Sequence, residues 1–237
     1  MARKNWPEIL YEDKEIIVIN KPAGQLTVAT DVPGAMTAWR QVTDYLQIRN
    51  KKARAQVVHR LDRDTSGVLL FAKNESLKLA FQEKWNELVT CRGYIAVVDG
   101  KPEREEGTIR TFLLENKAHV VYSAPERKGG KEAITHYKTV EGRKGFTLMD
   151  VRIDTGRKNQ IRVHMKDLGC PVVGDKKYGN GADPLRRLGL HAGKLELRHP
   201  KTGVLQSFEA PLPQEFIRLF PNQKKKEETP HENEKKA

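Results

Sequence analysis

Val57-Val58-His59-Arg60-Leu61-Asp62-Arg63-Asp64-Thr65-Ser66-Gly67-Val68-Leu69-Leu70-Phe71-Ala72 is the stretch from which the chain is best read. An apolar pair runs into a charged turn, and a glycine then releases an uninterrupted apolar run. Gly67 to Ala72 reads as a buried strand, because so short and continuous an apolar run leaves no face for water. The turn before it sets Asp62 between Arg60 and Arg63, which favour the ionised carboxylate. Such a carboxylate, held near water exclusion, can act as a nucleophile at an electrophilic sugar or base carbon. Taken alone, an Arg-x-Asp triplet is far more often a salt-bridged loop aspartate.

Upstream, Glu15-Ile16-Ile17-Val18-Ile19-Asn20 is a β-branched strand stopped by Lys21-Pro22-Ala23-Gly24. Residues 36–48 read as a helix on the spacing of Trp39, Val42 and Leu46. Arg49 to Arg63 holds six Lys or Arg against the single acid Asp62, and most of these side chains read as a solvated face. Downstream, Asn74 or Ser76 can cap a helix carrying Leu77, Phe81, Trp85 and Leu88. Tyr94 to Val98 is a strand ended at Asp99-Gly100. Residues 108–114, 119–123, 134–140, 146–153 and 204–210 add further strands, and residues 160–168 form a short helix closed by Gly169. Many strands with few helices predict an α/β (α+β) fold. We expect a mixed, largely antiparallel sheet.

The chain has 237 residues with 43 Lys and Arg against 31 Asp and Glu, a formal net charge of +12. Residues 222–237 hold five Lys and four Glu, so the excess belongs to the folded body. A polyanion is the natural partner of such a surface, through counterion release. Residues 1–221 read as one folded domain, and residues 222–237 as a disordered polar tail.

Several chemistries are set aside. The glycines at 129–130, 142–145 and 179–181 lack the lysine and helix of a phosphate loop, and no two histidines share one helix at metal-ligand spacing. His59 and His164 read more readily as structural hydrogen-bonders than as ligands or bases. Cys91 and Cys170 form neither a disulfide framework nor a zinc site. Met1 to Leu10 lacks the apolar run of a signal peptide, and no apolar stretch is long enough to span a bilayer. The expectation is a cytoplasmic protein with reduced cysteines, no membrane contact, no metal and no cofactor.

A second charged segment, Asp154-Thr155-Gly156-Arg157-Lys158-Asn159-Gln160-Ile161-Arg162-Val163-His164-Met165, turns the chain into a helix with two arginines that need not share a face. One could pair with a buried carboxylate while the other meets phosphate.

These segments together resemble the RluA-type family of RNA pseudouridine synthases. Arg60-Leu61-Asp62 with Asp64-Thr65-Ser66-Gly67 is similar to the family's catalytic motif, and Asn20-Lys21-Pro22-Ala23-Gly24 to its opening strand and loop. Arg92-Gly93-Tyr94-Ile95-Ala96-Val97 resembles the strand carrying its active-site tyrosine, and Gly156-Arg157 through His164 its late arginine motif. Gly174-Asp175-Lys176-Lys177-Tyr178-Gly179, Leu190-His191-Ala192, His199-Pro200 and Glu209-Ala210-Pro211-Leu212 continue the match over roughly residues 10–213.

The resemblance implies a cofactor-free isomerisation of specific uridines in ribosomal or transfer RNA by residues 1–221, a catalytic domain with its active cleft across the middle of the sheet and without the separate N-terminal RNA-binding module of many relatives. A monomer is the simpler expectation for a basic RNA enzyme of this size. Asp62 would be the nucleophile, Arg162 its pairing partner, and Tyr94 the group that stacks on the uracil or exchanges a proton with it. Arg60 would fill the space left by a flipped nucleotide. His59, Arg157, Lys21 and Ile161 are the further substrate-binding candidates. Asn159 stands where relatives usually carry histidine, and Gln25-Leu26-Thr27 departs from the usual apolar continuation; both bear on substrate contacts. Arg49 to Arg54, Lys176, Lys177, Arg186 and Arg187 are candidates for the RNA-facing surface. A non-catalytic RNA-binding protein of the same fold and a base-removing hydrolase are the competing readings.

Overall fold

The computed structural model describes residues 6–29 and 35–223. Eleven strands, β1 (Glu8–Glu12), β2 (Ile16–Lys21), β3 (Gln56–Val57), β4 (Ser66–Ala72), β5 (Val89–Asp99), β6 (Glu106–Glu115), β7 (Val121–Ala124), β8 (Lys131–Arg143), β9 (Phe146–Ile153), β10 (Leu190–Arg198) and β11 (Leu205–Glu209), build one sheet. Its order is β1-β2-β4-β10-β5-β9-β8-β6-β7, with β11 beside β10 and β3 beside β4. Every pairing is antiparallel except that of β10 with β4, where His191 faces Ser66 and Ala192 faces Gly67. The expected mixed, largely antiparallel sheet is therefore present, and its parallel seam lies at the centre.

Helices α1 (Ala38–Leu46), α2 (Glu75–Leu88), α3 (Gln160–Asp167) and α4 (Gln214–Leu219) cover both faces. Thr37 caps α1, and Asn74 rather than Ser76 caps α2, its side chain accepting from the Leu77 amide at 2.8 Å. The continuous apolar runs of β2 and β4 follow from burial on both sides. Ile17, Ile19, Leu69 and Phe71 pack with Val42 and Leu46 of α1. Ile16, Val18, Val68 and Leu70 pack with Leu77 and Phe81 of α2. Beyond the seam, α3 packs Ile161 and Met165 against β5 and β9, while Phe216 of α4 closes the other face.

The seam depends on Gly67. It has φ +112°, and a Cβ there would sit 2.1 Å from the Ala192 carbonyl oxygen. Only glycine lets β4 approach β10 so closely. The expected disordered tail lies outside the described residues from 224 on. Asn222 and Gln223 are held against Glu141 by side-chain hydrogen bonds of 3.1 and 2.8 Å, so the folded body reaches past 221.

Candidate active site

Asp62 sits in the turn that feeds β4, Tyr94 lies on β5 and Arg162 on α3. The seam brings these three elements together around a cavity of about 100 Å³ lined by Asp62, Tyr94, Arg60, Arg157, Ile161 and Arg162, among others. Among the described residues Asp62 is the only carboxylate in that lining. Its side chain keeps 34% of its surface exposed, and its Oδ2 accepts from Arg162 Nη1 at 3.3 Å.

Arg162 is held more firmly by others. Its Nε donates to Asp175 Oδ2 at 2.6 Å and its Nη2 to Asp175 Oδ1 at 2.8 Å, a two-pronged bond to a carboxylate with no exposed surface. Nη1 also donates to Asn159 Oδ1 at 3.0 Å, and the guanidinium lies 5.1 Å from the Tyr178 ring. Burial alone would lower the Arg162 pKa, but Asp175 and then Asp62 outweigh it and hold the group above its ordinary value. Burial pushes the Asp175 carboxyl up, yet Arg162 and the amides of Lys177 and Tyr178 bring it below the usual carboxylate range. Asp175 was expected only as part of a family motif. Its partnership with Arg162, across thirteen residues of turning chain, had no local signal.

Asn159, the departure from the family's usual histidine, adopts the left-handed conformation at φ 55°, where asparagine is favoured among non-glycine residues. Its amide nitrogen donates to the Tyr178 hydroxyl at 3.1 Å. It therefore ties the start of α3 to the loop that carries Asp175. Tyr94 is half-buried. Desolvation, with a smaller push from Asp62 and against the pull of Arg92, raises its phenol to about 12, so it stays protonated near neutrality.

The opening loop supports the turn that carries Asp62. Lys21 was expected to bind substrate, but it is wholly buried, and its Nζ donates to the carbonyls of Pro22, Gln25 and Arg63 at 3.0, 2.8 and 3.0 Å. Burial lowers its pKa to about 8. The Thr27 hydroxyl donates to the Leu61 carbonyl at 2.9 Å and accepts from the Leu61 amide at 3.3 Å. The residues that depart from the family pattern at 25–27 thus brace the backbone beside Asp62.

The remaining candidates divide. His59 accepts from the Leu70 amide at 3.0 Å, and desolvation with the nearby Arg92 charge lowers it to about 4, so it holds β4 as a neutral ring. Ile161 is a core residue with an edge in the cavity. Arg157 is exposed and its Nε donates to the Glu132 carbonyl at 2.8 Å. Arg60 is exposed. Arg49, Lys51, Lys52, Arg54, Lys176, Lys177 and Arg186 lie on the surface. Arg187 does not belong with them: its guanidinium donates to Ser66 Oγ at 2.7 Å and lies over the Phe216 ring. His164 is fully buried between the hydroxyls of Thr135 and Thr111, both at 2.8 Å. Among the described residues no three of His, Cys, Asp and Glu converge to hold a metal ion, and no helix is long and apolar enough to cross a membrane.

Residues 15–167 match the family model described as RNA pseudouridylate synthase. The chain is 39% identical over 228 residues to an "Uncharacterized RNA pseudouridine synthase YlyB" of Bacillus subtilis, covering 92% of this chain and 73% of that one. It is 36% identical over 227 residues to "Ribosomal large subunit pseudouridine synthase C" of Rickettsia bellii, covering 92% of this chain and 73% of the relative. In structure it resembles "Human RNA Pseudouridylate Synthase Domain Containing 1", with a TM-score of 0.70 at 26% identity over 90% of this chain and 86% of that one.

Proposed function

The chain belongs to the RNA pseudouridylate synthase family, and on that premise we propose that it isomerises specific uridines of structured RNA, with Asp62 as its nucleophile. The N1–C1′ bond of the target breaks, the uracil turns, C5 bonds to C1′, and the proton on C5 is released as N1 regains one. No co-reactant is needed, because bonds broken and formed balance.

The observation that carries this reading is a lone carboxylate lining the central cavity, open to a ligand and bonded to a guanidinium at 3.3 Å. Arg162 aims Asp62 through that bond. Tyr94, protonated, faces the base as a stacking surface or proton donor. The target reaches such a cavity only when flipped from its helix, at an unstacking cost of a few kcal/mol. Arg60 is an exposed guanidinium without a hydrogen bond or ion pair to another described residue, and it suits the space the base leaves. The protein works in this reading as a cytoplasmic monomer. One relative is named for the ribosomal large subunit, which makes ribosomal RNA the first class to test, with transfer RNA next.

The test follows tritium release from RNA carrying uridine tritiated at carbon five. Wild-type protein should release it and Asp62→Ala should not, while RNA affinity survives the substitution. Binding without release by wild type, from every RNA class, would make the chain an RNA-binding relative instead.

A further inference from the structure

The catalytic cavity opens into a groove of about 750 Å³ that shares Arg60, Asp62, Tyr94 and Arg157 with it and runs on to Trp85, Asn86 and Arg92. Three features of this groove have no part in holding Asp62. Arg92 is half-buried, yet its guanidinium meets only a backbone oxygen, donating to the Asp154 carbonyl. The Asp154 carboxylate turns away to His136 Nε2 at 2.8 Å. Arg92 is packed tightly against the chain, since a Cβ on Gly156 would lie 2.9 Å from its Nη1. Arg157, the next residue, also bonds a backbone carbonyl and no carboxylate. Burial lowers the Arg92 pKa; Tyr94 and the Asp154 charge oppose it and the Arg157 charge adds to it, so the two guanidiniums lie close enough to repel. Two guanidiniums lining one groove, each bonded to a carbonyl and to no carboxylate among the described residues, offer their remaining N–H donors to an anion. Further along, the Trp85 ring packs against His59 at 5.3 Å between centroids, while exposed Asn86 presents an amide beside it. Lys84 leaves the helical conformation at φ −118°, ψ 27°, and this kink in α2 immediately precedes Trp85.

We propose that this groove is a subsite for the nucleotide next to the target uridine. Its phosphodiester lies between Arg92 and Arg157, and its base rests on Trp85 within reach of Asn86. The inference rests on the isomerisation reading, since the cavity at Asp62 defines the target. Basic walls with an aromatic platform are what single-stranded RNA requires, and the stacking is tolerant of base identity. Asn86 adds a side-chain amide able to read a base edge.

The test uses the full chain with a hexauridylate RNA and an abasic ribose-phosphate strand of equal length. Hexauridylate should quench tryptophan fluorescence of the wild type, and the abasic strand should bind without quenching. Trp85→Phe should lose the quench. Arg92→Gln and Arg157→Gln should each weaken hexauridylate binding on the order of tenfold and reduce the salt slope of log K by about 0.7, the value for one phosphate contact on a single strand. The inference is overturned if hexauridylate leaves wild-type fluorescence unchanged, if Trp85→Phe keeps the full quench, or if both arginine variants keep the wild-type affinity and slope. Tritium release is measured alongside. Release by wild type with unaltered binding by both arginine variants sinks this inference alone. No release, with the full binding behaviour intact, sinks the isomerisation reading instead.

Discussion

Replacing Asp175 by Asn tests whether Arg162 is held for Asp62 or merely near it. Asn keeps the volume and an oxygen for the amides of Lys177 and Tyr178, now at 2.9 and 3.0 Å, but removes the charge that grips Arg162. Removing one partner of a buried pair costs about 3–5 kcal/mol. Here the guanidinium keeps a second carboxylate, Asp62, 3.3 Å away, which argues for the lower end of that range. We expect a loss of about 3 kcal/mol at pH 7, read from urea unfolding by circular dichroism. Asp175 has a folded pKa below its unfolded one, so its contribution is present above the ordinary carboxylate pKa and is lost as pH falls through the folded value. The gap between wild type and variant should therefore close in acid. Freed from Asp175, Arg162 should turn fully onto Asp62 and lock it. Turnover should then fall on the order of a hundredfold with little change in KM for RNA, because what is lost is geometry rather than binding. A loss under about 1 kcal/mol at pH 7, or a gap that persists unchanged in acid, would refute the argument.

Other expectations follow from the same structure. Gly67→Ala should unfold the protein or abolish tritium release, because its Cβ meets the Ala192 carbonyl oxygen at 2.1 Å; a variant that melts within a few degrees of wild type would contradict this. His164 and His191 are both lowered by burial to about 4 from 6.5, so the folded state binds fewer protons than the unfolded chain in that window. Stability should fall as pH drops from 6.5 toward 4, by up to about 3 kcal/mol for each ring, and a flat unfolding midpoint across that window would rule it out. Thr27→Val deletes the hydroxyl that brackets Leu61 and should cost about 1–3 kcal/mol while lowering turnover; stability and turnover both at the wild-type level would show that the catalytic turn needs no such brace.

Where a residue's neighbours are local or its burial complete, the sequence could be read. β2 and β4 showed as unbroken apolar runs because helices cover both their faces, and the cap at Asn74 acts within one turn. β10 did not show. Leu190-His191-Ala192-Gly193-Lys194-Leu195-Glu196-Leu197-Arg198 mixes small, charged and apolar residues. Its strand character comes from β4 on one side and β5 on the other, both far away in sequence. The two-residue β3 and the short α4 were missed for a related reason, being too short to carry a period.

At the site, Asp62 and Arg162 were named from motifs, but only the fold explains how a pair one hundred residues apart comes to lie 3.3 Å from each other. Charge misled the reading twice, in the same direction. Lys21 reads as a substrate contact and Arg187 as part of the RNA-facing surface, yet both are turned inward to backbone and hydroxyl oxygens around the turn that carries Asp62. A basic residue reads as surface because an unpaired buried cation is costly. That rule fails where carbonyls already converge, and they converge at tight turns such as those around residues 22–25 and 62–65. Arg92 and Arg157 keep the same kind of carbonyl contact, but they line the groove that opens from the Asp62 cavity, whereas Lys21 and Arg187 border a separate pocket beside Pro211 and Gln214.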